Sequence, residues 1–189
     1  MIECIFFCVL LSLPFAFHQL SGYLAFCAHP TVFIQPSWCS DRLPLIYAHV
    51  QSKYWNGGFL RYWTIQQLPN FLIAAPVLFL LSISSMTHIF HVLPQILAPK
   101  PGSDTAATLS MLTPSTLPHA IHAFVLTCML LFGSNTQIIL RLSSSMPFTY
   151  WSATRLFFEH PKWARAWITW SIVWGATSVV LWTTFLPPA

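Results

Sequence analysis

Apolar residues fall into four long runs separated by polar, proline-containing or charged stretches. The runs cover about residues 5–28, 69–91, 117–142 and 165–186. A bilayer core about 30 Å thick needs about 20 mainly apolar residues in helical form, because lipid offers an open backbone nothing to hydrogen-bond. The pattern therefore predicts an all-α polytopic transmembrane helix bundle with about four spans, joined by a long loop over 29–64 and shorter ones over 92–116 and 143–164. Pro14 and Pro76 fall inside the first two spans and are expected to kink them. Gly22, Ala74, Ala75, Gly133, Ser134, Gly175 and Ala176 are small enough to let helices approach closely. The first run is too long for a signal-peptide core and carries Glu3 where a signal carries positive charge, so it reads as a span. No internal repeat is visible.

Composition strengthens this picture. Only 6% of the 189 residues are charged and 56% are hydrophobic, with a mean hydropathy of +0.64. A soluble domain carries roughly 25% charged residues, and a disordered chain is low in hydrophobicity and high in charge. Both classes are excluded. The net charge of +4 is scattered and forms no basic run, so nucleic acid is not an expected partner. Cys4, Cys8 and Cys128 sit in apolar stretches, whereas Cys27 and Cys39 flank one loop and can pair if that loop faces an oxidising compartment. Four spans put both termini and residues 92–116 on one side of the membrane. With Arg141 and Arg165 counted in the nearest loop, every Lys and Arg except Lys100 then lies on the other side, which the positive-inside rule makes cytoplasmic.

The segment richest in chemistry runs from Gln51 to Trp63. Tyr54, Trp55, Phe59, Tyr62 and Trp63 suit a membrane interface, and Lys53 and Arg61 supply cations. Two readings stand side by side. One is an aromatic belt with snorkelling cations; the other is a site for a lipid-linked phosphate, with Arg61 as a bidentate clamp. The Gly57-Gly58 pair points to a tight backbone approach that a plain belt helix does not need.

His88 and His91, and likewise His119 and His122, are spaced i,i+3 and share a helix face. Metal-binding helix pairs more often use i,i+4 or carry a carboxylate between the histidines, so no metal is expected and neutral histidines bonding across helices are the simpler account. Trp163, Trp167, Trp170 and Trp174 align on one face of the last span, either as a packing or lipid-facing stripe or as an apolar wall for a polyprenyl chain. The acids are Glu3, Asp41, Asp104 and Glu159, of which Asp41 and Glu159 are placed on one side. No Asp-x-Asp, Ser/His/Asp order or Gly-rich phosphate loop is present, so no catalytic residue and no cofactor is assigned.

The run Tyr54-Trp-Asn-Gly-Gly-Phe-Leu-Arg-Tyr-Trp63, followed by Pro69-Asn-Phe-Leu-Ile-Ala-Ala-Pro76, resembles the GPI mannosyltransferase 2 family, known as PIG-V. Gly22-Tyr23 with Phe26-Cys27, Pro36-Ser-Trp-Cys39, Leu117-Pro-His-Ala-Ile-His122 and Phe185-Leu-Pro-Pro188 extend the resemblance over nearly the whole chain. It implies a multi-pass enzyme of the endoplasmic-reticulum membrane, of the GT-C type, that transfers the second, α-1,6-linked mannose of the GPI core. The implied donor is dolichyl-phosphate mannose and the acceptor a mannosylated GPI lipid, with a small membrane partner subunit as a further expectation.

In that setting Lys53 and Arg61 bind lipid phosphate, Tyr54, Trp55 and Tyr62 line the sugar or lipid groove, and Asn56 hydrogen-bonds a hydroxyl. Family members are more than twice this length, and the acid expected as catalytic base has no counterpart here. The chain is thus expected to be the C-terminal part of such an enzyme, a single transmembrane domain over 1–189 incomplete at its N-terminus. The alternative is a non-catalytic membrane scaffold or lipid-binding remnant of the family. The resemblance also places the two basic loops in the lumen, against the charge count, and is followed here because the rule is dominated by first helices.

Overall fold

The computed structural model describes residues 2–28, 36–97 and 113–184. Lys100, Asp104, residues 29–35 of the long loop and Phe185-Leu-Pro-Pro188 lie outside them. Among the described residues the regular structure is helical and contains no strand. The all-α expectation holds, and the chain is a membrane protein. Three helical segments among these residues are long and apolar enough to cross a bilayer, Ile5–Phe26, Ile65–Leu97 and Pro114–Gly133. The chain divides into two compact units, Met1–Gly58 and Phe59–Ala189, and each is described by itself.

The first unit holds α1 (Ile2–Phe26), a 3-10 turn at Ser37–Ser40 and α2 (Ile46–Tyr54). α1 is apolar on all faces, and side chains such as Leu11 and Phe17 are exposed, as suits a helix solvated by lipid. Among its few polar side chains, Gln19 is buried and accepts a hydrogen bond from the Tyr47 backbone N–H at 3.2 Å. One turn further on, Gly22 meets α2 so closely that a Cβ there would lie 2.8 Å from Cγ2 of Ile46. Beyond α1, Cys27 and Cys39 form a disulfide with their Cα atoms 5.5 Å apart. It ties the end of α1 to the turn that buries Trp38, whose ring lies 6.1 Å from that of His49.

The second unit is built on α3 (Leu68–Leu97) and α4 (Leu117–Gly133), followed by α5 (Ile138–Leu142), α6 (Pro147–Glu159) and α7 (Pro161–Thr183). The buried residues of α3 include Ala74, Val77, Leu81, Ser85, His88 and Val92, stepping by three or four as a helix stripe requires. α4 answers with Leu117, Ala120, Ala123, Thr127 and Leu130. Ala74, Ala120 and Ala123 are fully buried, and three small side chains bring the packed backbones close. Ile139, Met146 and Phe148 complete the core. Thr127 satisfies its hydroxyl within its own helix, on the Ala123 carbonyl at 2.7 Å.

Several expectations need correction. The third apolar run does not continue as helix to Leu142. It stops at Gly133, and Ser134 is extended (φ −144°, ψ −172°). The cause is local: glycine and serine weaken the helix, and Ser and Asn side chains offer the backbone competing bonds. The segment 143–164, expected as a loop across the membrane from residues 92–116, is largely helical. Phe148 packs on His88 with ring centroids 5.9 Å apart and Trp151 on His119 at 5.4 Å, which sets α6 beside the first turn of α4. Arg155 therefore lies level with Thr116, not on the opposite face. Among the small residues, Gly133 and Gly175 have no neighbour within 4 Å of a built Cβ and mediate no close approach. Pro14 and Pro76 lie within continuous helices. α7 forms where the fourth run predicts it; at 23 residues it is about 35 Å long, but five tryptophans, Lys162 and Arg165 keep it out of the apolar set.

Candidate functional site

The boundary between the units falls inside the aromatic-cationic motif. Lys53, Tyr54, Trp55 and Asn56 belong to the first unit, Arg61 and Tyr62 to the second. In the first, the motif is the end of α2. Lys53 occupies the last turn, where the helix dipole favours a cation, and its Nζ lies 5.8 Å from the centroid of the Tyr54 ring. Tyr54 and Trp55 are exposed. Asn56 takes the left-handed conformation (φ 49°), which asparagine tolerates better than most residues, and turns the chain back. The Gly57 amide then donates to the Gln51 carbonyl at 2.7 Å, and a Cβ on Gly57 would lie 3.1 Å from that oxygen. The tight approach expected of the glycine pair is made, within the chain itself.

In the second unit the motif closes the C-terminal end of α4. The last carbonyls of a helix lack partners within it. Here the Leu60 amide donates to the Phe132 carbonyl at 2.7 Å, and the Trp63 indole N–H to the Leu131 carbonyl at 2.7 Å. The Trp63 ring stacks on Phe132, centroids 6.0 Å apart and planes 10° apart, and meets Phe71 at 5.2 Å. Tyr62 packs on Phe71, and its hydroxyl accepts a hydrogen bond from Asn70 Nδ2 at 2.9 Å. Leu60 is left-handed (φ 58°), a strained state for leucine, and is held there by the bond to Phe132. Sequence reasoning missed this capping role, because the apolar run continues past Gly133 and hides the helix end whose carbonyls are capped.

The tryptophan stripe leads to an open apolar groove of about 670 Å³ between α3 and α7. α3 contributes one face, from Leu72 through Ala75, Phe79 and Ile83 to Ser84, and α7 contributes Trp163, Trp167 and Trp170. Such a volume falls in the range of small-molecule sites. Ser84 also lines a second, smaller recess of about 20 Å³ with His88, Thr116, Phe148, Ser152 and Arg155. His88 Nε2 lies 3.2 Å from both the Thr113 carbonyl and the Thr116 hydroxyl. Arg155 donates Nε–H to Glu159 Oε1 at 2.8 Å, whereas the buried Ser152 hydroxyl has no hydrogen-bond partner. The Arg155–Glu159 pair was readable as an i,i+4 spacing; its place beside Ser84 and Thr116 was not. Among the described residues, no group of three or more His, Cys, Asp or Glu is placed to hold a metal ion.

Comparison with known proteins places this geometry. A profile of the family described as Mannosyltransferase (PIG-V) matches residues 1–189. The GPI mannosyltransferase 2 of Cryptococcus neoformans var. neoformans serotype D (strain JEC21) is 33% identical, the match covering 96% of this chain and 45% of that protein. The human protein named GPI alpha-1,6-mannosyltransferase 2 is 34% identical over 82% of this chain and 37% of its own length. The GPI mannosyltransferase 2 of Schizosaccharomyces pombe is 33% identical over 96% of this chain and 36% of its own length. The chain thus spans less than half the length of these relatives. No solved structure matches.

Proposed function

The chain belongs to the PIG-V mannosyltransferase family, and on that premise we propose that it is the C-terminal part of a multi-pass membrane enzyme of GPI-anchor biosynthesis. The reaction is transfer of the second mannose, in α-1,6 linkage, from dolichyl-phosphate mannose to a mannosylated GPI lipid in the endoplasmic-reticulum membrane. The observation that carries this reading is the family match over the whole of 1–189, together with relatives named GPI mannosyltransferase 2 and GPI alpha-1,6-mannosyltransferase 2. α7 serves as a fourth span of a single membrane domain, and a small membrane subunit accompanies the enzyme.

Within the motif, Lys53 and Arg61 contact lipid phosphate, whose negative charge grows as the bond from mannose C1 to the phosphate oxygen breaks. Tyr54, Trp55 and Tyr62 offer aromatic faces to sugar and lipid, and Asn56 a hydrogen bond to a hydroxyl. The Cys27–Cys39 disulfide supports a lumenal position for the 29–64 loop, since disulfides persist in oxidising compartments. The bonds that commit Leu60 and Trp63 to the end of α4 favour a second reading, in which the chain is a lipid-binding scaffold and the motif a structural cap.

The test is a chimera in which residues 1–189 replace the matched segment of the Cryptococcus GPI mannosyltransferase 2. Microsomes carrying it are expected to convert a singly mannosylated GPI to the doubly mannosylated form with dolichyl-phosphate mannose. Arg61→Ala should lower the rate at least about tenfold, the scale of one charge-assisted hydrogen bond. An inserted, stable chimera that leaves the acceptor at one mannose refutes the enzyme reading, and an undiminished Arg61→Ala rate refutes the role of that side chain.

A further inference from the structure

The groove and the recess meet at Ser84, and Arg155 of the recess is followed in sequence by Leu156 of the groove. A long apolar furrow thus lies next to a small recess where Ser84, His88, Thr116, Ser152 and Arg155 set polar groups beside Phe148 and Trp151, an arrangement that suits an amphiphile. Its α3 face runs from Leu72 to Ser84, a rise of about 18 Å at 1.5 Å per residue. Half of a bilayer core is about 15 Å. The furrow therefore accommodates the reach of one acyl chain from one leaflet.

The polar end is specific in its chemistry. A buried hydroxyl without a partner is costly, and Ser152 Oγ is such a group. The recess, at about 20 Å³, has room for a single oxygen-sized atom. A guanidinium carries five N–H donors, and Glu159 takes the one on Nε. The remaining donors of Arg155 suit a phosphate, one of whose oxygens enters the recess to meet Ser152. Arg155 does not act alone, however. Glu159 lies beside it with its side chain 47% exposed, so a purely anionic head would meet repulsion as well as attraction. The pair is matched by a head that sets a phosphate next to an ammonium, and a carboxylate that accepts hydrogen bonds favours a primary ammonium over a quaternary one.

We infer that this face of α3, α6 and α7 binds a phospholipid with a phosphoethanolamine head, its phosphate on Arg155 and Ser152, its ammonium on Glu159 and one acyl chain in the tryptophan-lined groove. Thr116 and His119 put the recess at the first turn of α4, about 24 Å along that helix from the Phe132 carbonyl that the motif caps. Within its own unit the recess is thus separate from Arg61 and Tyr62 of the motif and lies toward the other leaflet.

The experiment uses the full-length protein that carries this segment, purified from membranes, with a phosphatidylethanolamine bearing a photoreactive diazirine on its acyl chain. Crosslinks are expected on peptides from 68–97 and 161–183, displaced by unlabelled phosphatidylethanolamine at least about tenfold better than by phosphatidylglycerol or phosphatidylcholine. Arg155→Gln should remove that displacement, whereas Glu159→Gln should keep binding and abolish the preference over phosphatidylglycerol. Ser152→Ala removes an unpaired hydroxyl, so it should weaken displacement while leaving thermal stability intact, and Ala166→Trp should block labelling by filling the groove. Equal displacement by all three lipids, or by a polyprenyl phosphate, overturns the proposal, as does a Ser152→Ala and Arg155→Gln pair that binds like the parent. Because binding is read without catalysis, failure here leaves the mannosyltransferase assignment standing, and the converse also holds.

Discussion

Leu60 is held in a conformation that costs an L-residue about 1–2 kcal/mol, and one backbone hydrogen bond to Phe132 keeps it there. Glycine reaches the same backbone state without that cost. Leu60→Gly is therefore expected to preserve or raise the melting temperature of the detergent-solubilised protein by about 2–4 °C per kcal/mol recovered. Leu60→Pro locks φ near −65° and deletes the N–H donor, so it should uncap α4 and lower the melting temperature. A Leu60→Pro protein as stable as the parent would show that the cap carries no weight. The motif around Leu60 was conspicuous in the sequence because aromatics and cations in such density are unusual. Its structural partners were not, since Trp63 bonds a carbonyl 68 residues away and nothing local marks Leu131 as an acceptor. The unpartnered Ser152 hydroxyl was equally hidden, because serine on a helix usually bonds its own preceding turn, as Ser12 and Ser21 do.

Helices were legible to the extent that apolar runs and helices coincide. α3 begins one residue before the expected span and runs six further, to Leu97, through a stretch in which Leu93, Ile96 and Leu97 are still apolar and exposed. α4 shows the reverse: Ile138, Ile139 and Leu140 extend the apolar run, whereas Gly133 and Ser134 end the helix. Hydropathy registers transfer from water and is blind to a backbone break. The facing of helices was partly visible in the small residues, and substitutions separate those that pack from those that do not. Ala123 is fully buried against α3, so Ala123→Leu should overpack the α3–α4 seam and cost about 1–3 kcal/mol, read as a lower melting temperature in detergent. Gly175 faces open space, and Gly175→Leu should be neutral or slightly stabilising through helix propensity. Equal losses from the two would mean that α3 and α4 are not packed through their small residues.

At the scale of the whole molecule, the charge count and the family resemblance disagreed about which face of the membrane carries residues 29–64, and the disulfide bears on the choice. If that loop is lumenal, Cys27 and Cys39 should resist a maleimide in opened microsomes until a reductant is added, and each should then react. Reaction without reductant would return the loop to the cytoplasmic side and favour the charge count. The charge count itself was weakened by α6. Arg155 lies beside Thr116 in the recess, so a tally that assigned it to the far side measured a loop that does not exist.

The α3–α4 pair is fastened at both ends, by Leu60 and Trp63 on the last carbonyls of α4 and by His88 on Thr113 and Thr116 at its start. Neither fastening passes through residues 98–112, and the alanine seam between them does not either. Two separately translated pieces, divided between Leu97 and Thr113, are therefore expected to pair in the bilayer through these contacts and to co-purify, which would make the split chain a two-part reporter of its own assembly. Pieces that insert but do not co-purify would show that the two fastenings and the seam do not suffice.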